Sequence, residues 1–360
     1  MRVSIITITD PINYGAVLQS FALYKYIKNI YGEAKVIQYN SNLGKKEFLV
    51  LLKERLQMVL LRKRISRCKK FEYNHMEFTD QKYKSFKELL IDPPQSDLYV
   101  VGSDQVWNSD IFGGLDPAFF LDFVAGGKKI SYASSIGKSN VSDSDLAKMK
   151  AYLQSFNAIS VRESSAKSLL EEAGLVNVEH VLDPVFLLDK SDYFKLLLPY
   201  KPYKKEKYLL LYGFDSNKKM DDIANIIAGE RKLKIVEIGG ARKKHNCDKF
   251  LKNLGPEEFL SVLEGAEYVI TSSFHGTAFS IIFGKSFVSV LPSERGTRIE
   301  SILSLVGLEN RLIKKAADIK INELMEKPDY HLAYKLLGIE ISKSKEYLDK
   351  VINDKRGPKL

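Results

Sequence analysis

The sequence predicts an α/β protein built as two domains that face each other across a cleft. Two stretches share one construction: Leu98-Tyr99-Val100-Val101-Gly102-Ser103-Asp104-Gln105-Val106-Trp107-Asn108 and Tyr268-Val269-Ile270-Thr271-Ser272-Ser273-Phe274-His275-Gly276-Thr277. Each is a short apolar run that breaks into a small, glycine-containing polar turn, the form in which a parallel sheet presents chemistry at its strand ends. The two turns lie about one domain length apart, at a usual size of ~150 residues. Apolar runs also alternate with helical stretches along most of the chain, which implies parallel strands joined by right-handed crossovers.

The elements follow in order. Residues 3–9 alternate and then meet Pro11, which reads as a first buried strand; no small-residue cleavage site follows an apolar core, so it is not a signal peptide. Asn13-Tyr14-Gly15 then opens a helix over 16–30, followed by a strand over 34–39. A basic helical region extends over 45–90, ended by Asp92-Pro93-Pro94. Strands are predicted over 98–101, 129–134 and 158–162, with helices over 142–156 and up to 173. Composition shifts to Pro, Tyr and Lys over 193–207, the best linker. The alternation restarts with strands over 208–212, 234–238, 268–271 and 286–291, and helices over 217–232, 256–263 and up to 283. This gives a first domain over 1–195, a second over 205–325, and a charged helix over 330–356 that can cross back onto the first.

The chain has 360 residues, 45% hydrophobic and 28% charged, an ordinary globular composition with enough length for two cores. No apolar run approaches the ~18 residues of a membrane span. Cys68 and Cys247 are far apart in polar, basic sequence, and suggest neither a disulfide framework nor a zinc site. A reducing cytoplasm is the expected compartment. The net charge of +10 is concentrated: residues 45–70 hold ten Lys or Arg against two Glu. Leu49, Leu52, Leu56, Val59 and Leu60 recur there at helical spacing. Two readings stand: a helix packing its Leu stripe on the domain, or one lying on an anionic membrane. Nucleic acid is not expected, because no aromatics interleave with the basic residues and no nucleic-acid motif appears.

Several side chains can carry chemistry. Ser273, His275 and Gly276 stand at a strand-to-helix turn, where free N–H groups and a partial positive charge favour phosphate or carboxylate. His275 can bind an anion or move a proton there, or simply cap and pack. Arg295 and Arg298 flank a Gly-Thr turn one βα unit later and can aim into the same crevice. Gly239-Gly240-Ala241-Arg242-Lys243-Lys244-His245 is either a second anion site or solvated surface. On the first domain Asn13, Tyr14, Gln105, Trp107 and Asn108 offer amides and aromatic faces suited to a sugar. Asp104 is either a general base for a hydroxyl or a turn cap. Arg162-Glu163 is a structural ion pair or an anion contact. No phosphate-binding loop, GxGxxG fingerprint or paired-histidine metal motif occurs, and the five His do not cluster, so no metal is expected.

Taken together, these segments resemble the bacterial polysaccharide pyruvyl transferase family. The resembling residues are Asn13-Tyr14-Gly15-Ala16-Val17-Leu18-Gln19, Val101 to Asn108, Ile130-Ser131-Tyr132-Ala133-Ser134, Val161-Arg162-Glu163, Val181-Leu182-Asp183-Pro184 and Ser273-Phe274-His275-Gly276. They come in the family's order and span roughly residues 3–310. The resemblance implies a GT-B-like pair of Rossmann-type domains. It implies transfer of the enolpyruvyl carbons of phosphoenolpyruvate onto two hydroxyls of one sugar, giving a cyclic pyruvate ketal in capsule or exopolysaccharide assembly. It implies a cytoplasmic acceptor, often linked to a polyprenyl diphosphate, which the basic helix would approach at the anionic inner leaflet.

On this reading His275 and Asp104 are the catalytic pair. Ser273, His275, Gly276, Arg295, Arg298 and Arg162 hold the donor; Asn13, Tyr14, Gln105, Trp107 and Asn108 hold the acceptor. Phosphoenolpyruvate is a co-substrate and no further cofactor is implied. Many members carry an Arg two residues before the His of the His-Gly motif, where this chain has Ser273. Arg295 or Arg298 takes over that contact, or the donor is held differently. The rival readings are a glycosyltransferase of the same two-domain class, with Glu294 or Glu300 on the ribose of a nucleotide sugar, and a non-catalytic scaffold.

Overall fold

The computed structural model describes residues 1–9, 12–40, 58–138, 140–213, 216–291, 296–315 and 318–353. The first sheet contains β1 (Arg2–Ile6), β2 (Glu33–Tyr39), β3 (Phe78–Tyr83), β4 (Leu98–Val101) and β5 (Lys128–Ser131) in the order β3-β2-β1-β4-β5, all parallel. A parallel pair, β6 (Ile159–Val161) and β7 (Val178–His180), extends it through single bridges at Ile130–Ala158 and Ser134–Val161. The second sheet contains β8 (Tyr208–Tyr212), β9 (Lys234–Ile238), β10 (Lys249–Leu251), β11 (Tyr268–Thr271), β12 (Ser286–Val290) and β13 (Leu312–Ile313). Its order is β10-β9-β8-β11-β12-β13, again all parallel. Each sheet is thus Rossmann-like, and the two together give the GT-B-like α/β architecture. The strand order reverses between β1 and β4 and between β8 and β11, so each sheet has a crevice beyond those carboxyl ends.

The strands form because they are covered on both faces. All residues of β4, β8 and β11 are buried, the near-continuous apolar run of a parallel sheet. The helices that bear on the site are α1 (Tyr14–Tyr31), α2 (Arg62–His75), α3 (Ser164–Glu172), α4 (Pro256–Glu264), α5 (Phe274–Phe283), α6 (Thr297–Leu305) and α7 (Tyr330–Asn353). Asn13 caps α1, its side chain accepting from the N–H groups of Gly15 and Ala16. Every residue of α5 is buried, as befits an apolar helix between sheet and neighbours. One continuous apolar cluster runs through both halves, joining Ile5, Leu18 and Phe21 to Phe259 and Phe279. The C-terminal helix bridges them too. Tyr330 donates to the carbonyls of Ser280 and Lys285, while Tyr347 donates to the Ser131 carbonyl at 2.9 Å.

The region expected to be helical over 45–90 is not one element. Residues 41–57, with Leu49, Leu52 and Leu56, lie outside the described residues. Beyond them α2 is followed by β3 and a short helix, Phe86–Ile91. β3 is an edge strand with only Thr79 and Tyr83 buried, so its sequence carries no apolar alternation. In α2, Arg64 is buried and donates to the carbonyls of Lys252 (3.0 Å), Ile12 (3.2 Å) and Gly239. Arg67 donates to Asn253 (2.8 Å) and pairs with Glu258 at 3.0 Å. Two of the basic residues therefore tie the first half to the second. The outward residues Arg62, Lys63, Lys69 and Lys70 are exposed. Among the described residues no helix is long and apolar enough to cross a membrane.

Candidate functional site

The carboxyl ends of β4, β6, β7 and β11, with the first turn of α6, converge on one buried cluster. Its centre is Asp183, 1% exposed, which follows β7. Asp183 Oδ2 accepts from Arg162 Nη1 at 2.6 Å and from Ser103 Oγ at 3.1 Å; Oδ1 accepts from the Val185 N–H at 3.1 Å. His275 Nε2 approaches the same Oδ2 at 3.6 Å, an ion-pair separation just beyond hydrogen bonding. Arg162 also lies 3.5 Å from Asp104 Oδ1 through Nη2, and its guanidinium sits 4.7 Å from the centre of the Phe274 ring. Arg298 reaches Asp104 Oδ1 at 3.8 Å, the longest of these ion pairs. Glu163 is buried and accepts from Ser135 through Oε1, while its Oε2 has no partner.

These charges are mutually held. Full burial alone would raise the Asp183 carboxyl, but His275 and Arg162 outweigh it and keep Asp183 well below the usual carboxylate range. Burial also works against the Arg162 charge, yet Asp183, Asp104 and Glu163 overcome it and raise Arg162. Arg298 is lowered, first by burial and then by Arg162 beside it. The Nε and Nη2 groups of Arg162 and Nε2 of His275 lack hydrogen-bond partners. Unpaired N–H groups on a buried arginine can donate to a further oxygen partner.

Local backbone sets each group. Asp104 lies at φ +70°, a left-handed conformation that costs a non-glycine residue on the order of 1–3 kcal/mol, though Asp tolerates it better than most. The loop is held there by Ser135 N–H on the Asp104 carbonyl (3.0 Å) and by Thr7 Oγ1 on the Ser103 carbonyl (2.8 Å). His275 rests on the first turn of α1. A Cβ added to Gly15 would fall 2.0 Å from His275 Nδ1, so only glycine lets the ring lie there. The ring is 4% exposed.

The expected site residues divide. His275, Arg162, Arg298 and Asp104 come together. Ser273 and Gly276 are buried and serve α5 itself, Ser273 Oγ accepting the Gly276 N–H at 3.4 Å. Asn13 caps α1, and Asn108 donates to Gln105 Oε1 at 2.7 Å. Trp107 departs from its expected place on the cleft wall. It is 1% exposed, donates to the Phe119 carbonyl at 2.9 Å and stacks on Phe120, so it has no face for a sugar. Tyr14, also 1% exposed, is sandwiched by Phe259 and the Arg64 guanidinium, 4.7 and 4.5 Å away, and is likewise core. Arg295 and Glu294 lie outside the described residues. Asp183 and Ser103 had been given no role. The Asp183-Pro184 turn was the available signal, since it too follows a strand. Among the described residues no group of three or more His, Cys, Asp or Glu is placed to hold a metal ion.

The chain is similar to the UDP-GlcNAc 2-epimerase of Neisseria meningitidis bound to UDP-GlcNAc, with a TM-score of 0.59 at 10% identity, covering 98% of this chain and 100% of that one. It is similar to the S. aureus MnaA structure with UDP at a TM-score of 0.55 and 12% identity, covering 100% of each chain. At these identities the likeness speaks for the two-domain GT-B fold. No curated protein matches the chain. The family model described as Polysaccharide pyruvyl transferase matches residues 13–294, which takes in every strand of the cluster from β4 to β11. The chain belongs to the polysaccharide pyruvyl transferase family.

Proposed function

We propose that the chain transfers the enolpyruvyl group of phosphoenolpyruvate onto two hydroxyls of one sugar, forming a pyruvate ketal. The observation that carries this reading is the convergence of Arg162, Arg298 and His275 from both halves on Asp104 and Asp183. The donor carries a phosphate and a carboxylate. Arg162 has unmet N–H groups, and Arg298 holds Asp104 only at 3.8 Å, so both have donors to offer it.

The chemistry needs one proton delivered and two removed. An acid protonates the donor methylene, making the adjacent carbon electrophilic. The first hydroxyl attacks that carbon and gives up its proton, phosphate leaves with its C–O bond electrons, and the second hydroxyl closes the ring. One hydroxyl proton ends in the new methyl group and the other on phosphate. His275, with its Nε2 turned to the Asp183 carboxylate, is the acid; Asp104 is the base. His275 packs against Gly15, and on this reading the donor enters by local parting of the α1 and α5 amino termini. The shared apolar cluster keeps the rest of the two halves together.

A lipid-linked acceptor in capsule or exopolysaccharide assembly is part of the same proposal. It is supported by Met58, Val59 and Leu60, exposed beside Arg62, Lys63, Lys69 and Lys70. Val59 is 70% exposed. Such a surface suits peripheral contact with an anionic leaflet on the cytoplasmic side. The donor class is tested by saturation-transfer NMR with phosphoenolpyruvate against a mixture of nucleotide sugars. Phosphoenolpyruvate contact is expected; contact only with a nucleotide sugar would turn the reading to a glycosyltransferase.

A further inference from the structure

A cleft of about 450 Å³ lies beside the charged cluster. One wall is the first turn of α3, at Ser164 and Ser165; the other is α6, at Thr297, Glu300, Ser301 and Ser304. Those α6 positions are three, four and seven residues apart, so they form one face of the helix. Neither helix has a side-chain cap on its first turn, which leaves N–H groups at both amino termini without that partner. The cleft is adjacent to the cluster along the chain: Ser164 follows Arg162-Glu163 and Thr297 precedes Arg298. Its volume falls within the range of small-ligand sites.

The lining also indicates the ligand. Five hydroxyls, the carboxylates of Glu300, Glu309 and Asp318, and the Lys314 amine give a wall of donors and acceptors, the complement of a polyhydroxylated ring. No aromatic residue lines it and Leu312 is its single apolar side chain, so a planar base would find nothing to stack on. Lys314 pairs with Glu300 at 3.0 Å, which leaves Glu309 and Asp318 as a net negative charge that disfavours a second anion. Tyr14 and Trp107, expected on the acceptor side, are buried and do not supply this surface.

We infer that the cleft between the first turn of α3 and the 297–304 face of α6 binds the acceptor sugar, presenting its hydroxyls to the Arg298–Asp104 side of the cluster. The assignment rests on the transfer reading above. Ser165 and Ser304 are exposed, so replacing them fills the cleft without touching the core. The probe is a mixture of methyl glycosides of galactose, mannose, glucose and N-acetylglucosamine, read by saturation-transfer NMR against wild type, Ser165→Phe and Ser304→Phe. Phosphoenolpyruvate affinity is followed by calorimetry in the same variants. A sugar signal in wild type that falls at least tenfold in both variants, with donor affinity within twofold, supports the cleft even if phosphoenolpyruvate proves not to be turned over. A signal retained in both variants, or no signal in wild type, overturns it even if turnover is found. Donor affinity that falls as far as the sugar signal also overturns it, and makes the cleft a donor site.

Discussion

Replacing Asp183 by Asn removes one charge from the centre of the cluster and almost nothing else. Asn keeps the size of the side chain and can still accept the Val185 N–H through Oδ1. It loses the 2.6 Å charged bond to Arg162, the carboxylate acceptor for Ser103 and the counter-charge 3.6 Å from His275. Breaking a buried pair by neutralising one partner costs about 3–5 kcal/mol, because the other charge stays buried. Arg162 retains Asp104 at 3.5 Å, which places the expected loss near the lower end, about 3 kcal/mol. Equilibrium urea denaturation measures it.

The pH dependence gives an independent sign. The Asp183 carboxyl is depressed in the folded state, so its contribution is complete above the unfolded value of about 4 and is lost as pH falls through the depressed folded value. Wild type therefore loses stability below about pH 4 through this group, and the Asn variant lacks that component. Turnover should fall about 10²–10⁴-fold, as for loss of an acid–base function, since His275 loses the group its Nε2 faces. A variant within about 0.5 kcal/mol of wild type, with unchanged acid sensitivity and turnover, would refute the argument that Asp183 holds the cluster together.

Three further outcomes follow from the same geometry. Gly15→Ala places a methyl 2.0 Å from His275 Nδ1; turnover should fall at least tenfold while circular dichroism stays native, and full activity would mean the ring need not rest on α1. Arg298→Ala should weaken phosphoenolpyruvate binding by about 1.5–3 kcal/mol in calorimetry, whereas Lys243→Ala, on the 239–244 loop, should not. Replacing the exposed Arg62, Lys63, Lys69 and Lys70 by Gln should weaken co-sedimentation with anionic vesicles by on the order of 1 kcal/mol per charge in contact, with Arg64 and Arg67 left intact because they join the halves.

The fold was legible where burial is two-sided. β4, β8 and β11 are apolar throughout, and the turns after β4 and β11 announce themselves by glycine and hydroxyls. Elements with one-sided or minimal burial were not: β3 buries two residues and β13 is two residues long. The same contrast holds in the site. His275 and Arg298 could be read because strand-end chemistry is local. Trp107 could not, since its partners Phe119 and Phe120 come from the next turns of chain and close over a loop that looks open in sequence. Arg64 resembled one surface charge among ten, because its acceptors Gly239 and Lys252 lie 175 and 188 residues away. Asp183 was visible as a motif but silent as chemistry, because its role depends on Arg162, Ser103 and His275 arriving from three other strand ends.

The most direct measurement is mass spectrometry of a panel of lipid-linked oligosaccharides incubated with the protein and phosphoenolpyruvate, with His275→Ala alongside. The account predicts that one acceptor gains the mass of one pyruvate less one water. It predicts one phosphate released per product, with the yield lost in the variant. Phosphate release without any such product, a hexose-sized gain from an added nucleotide sugar, or an undiminished yield from a folded His275→Ala protein would contradict it.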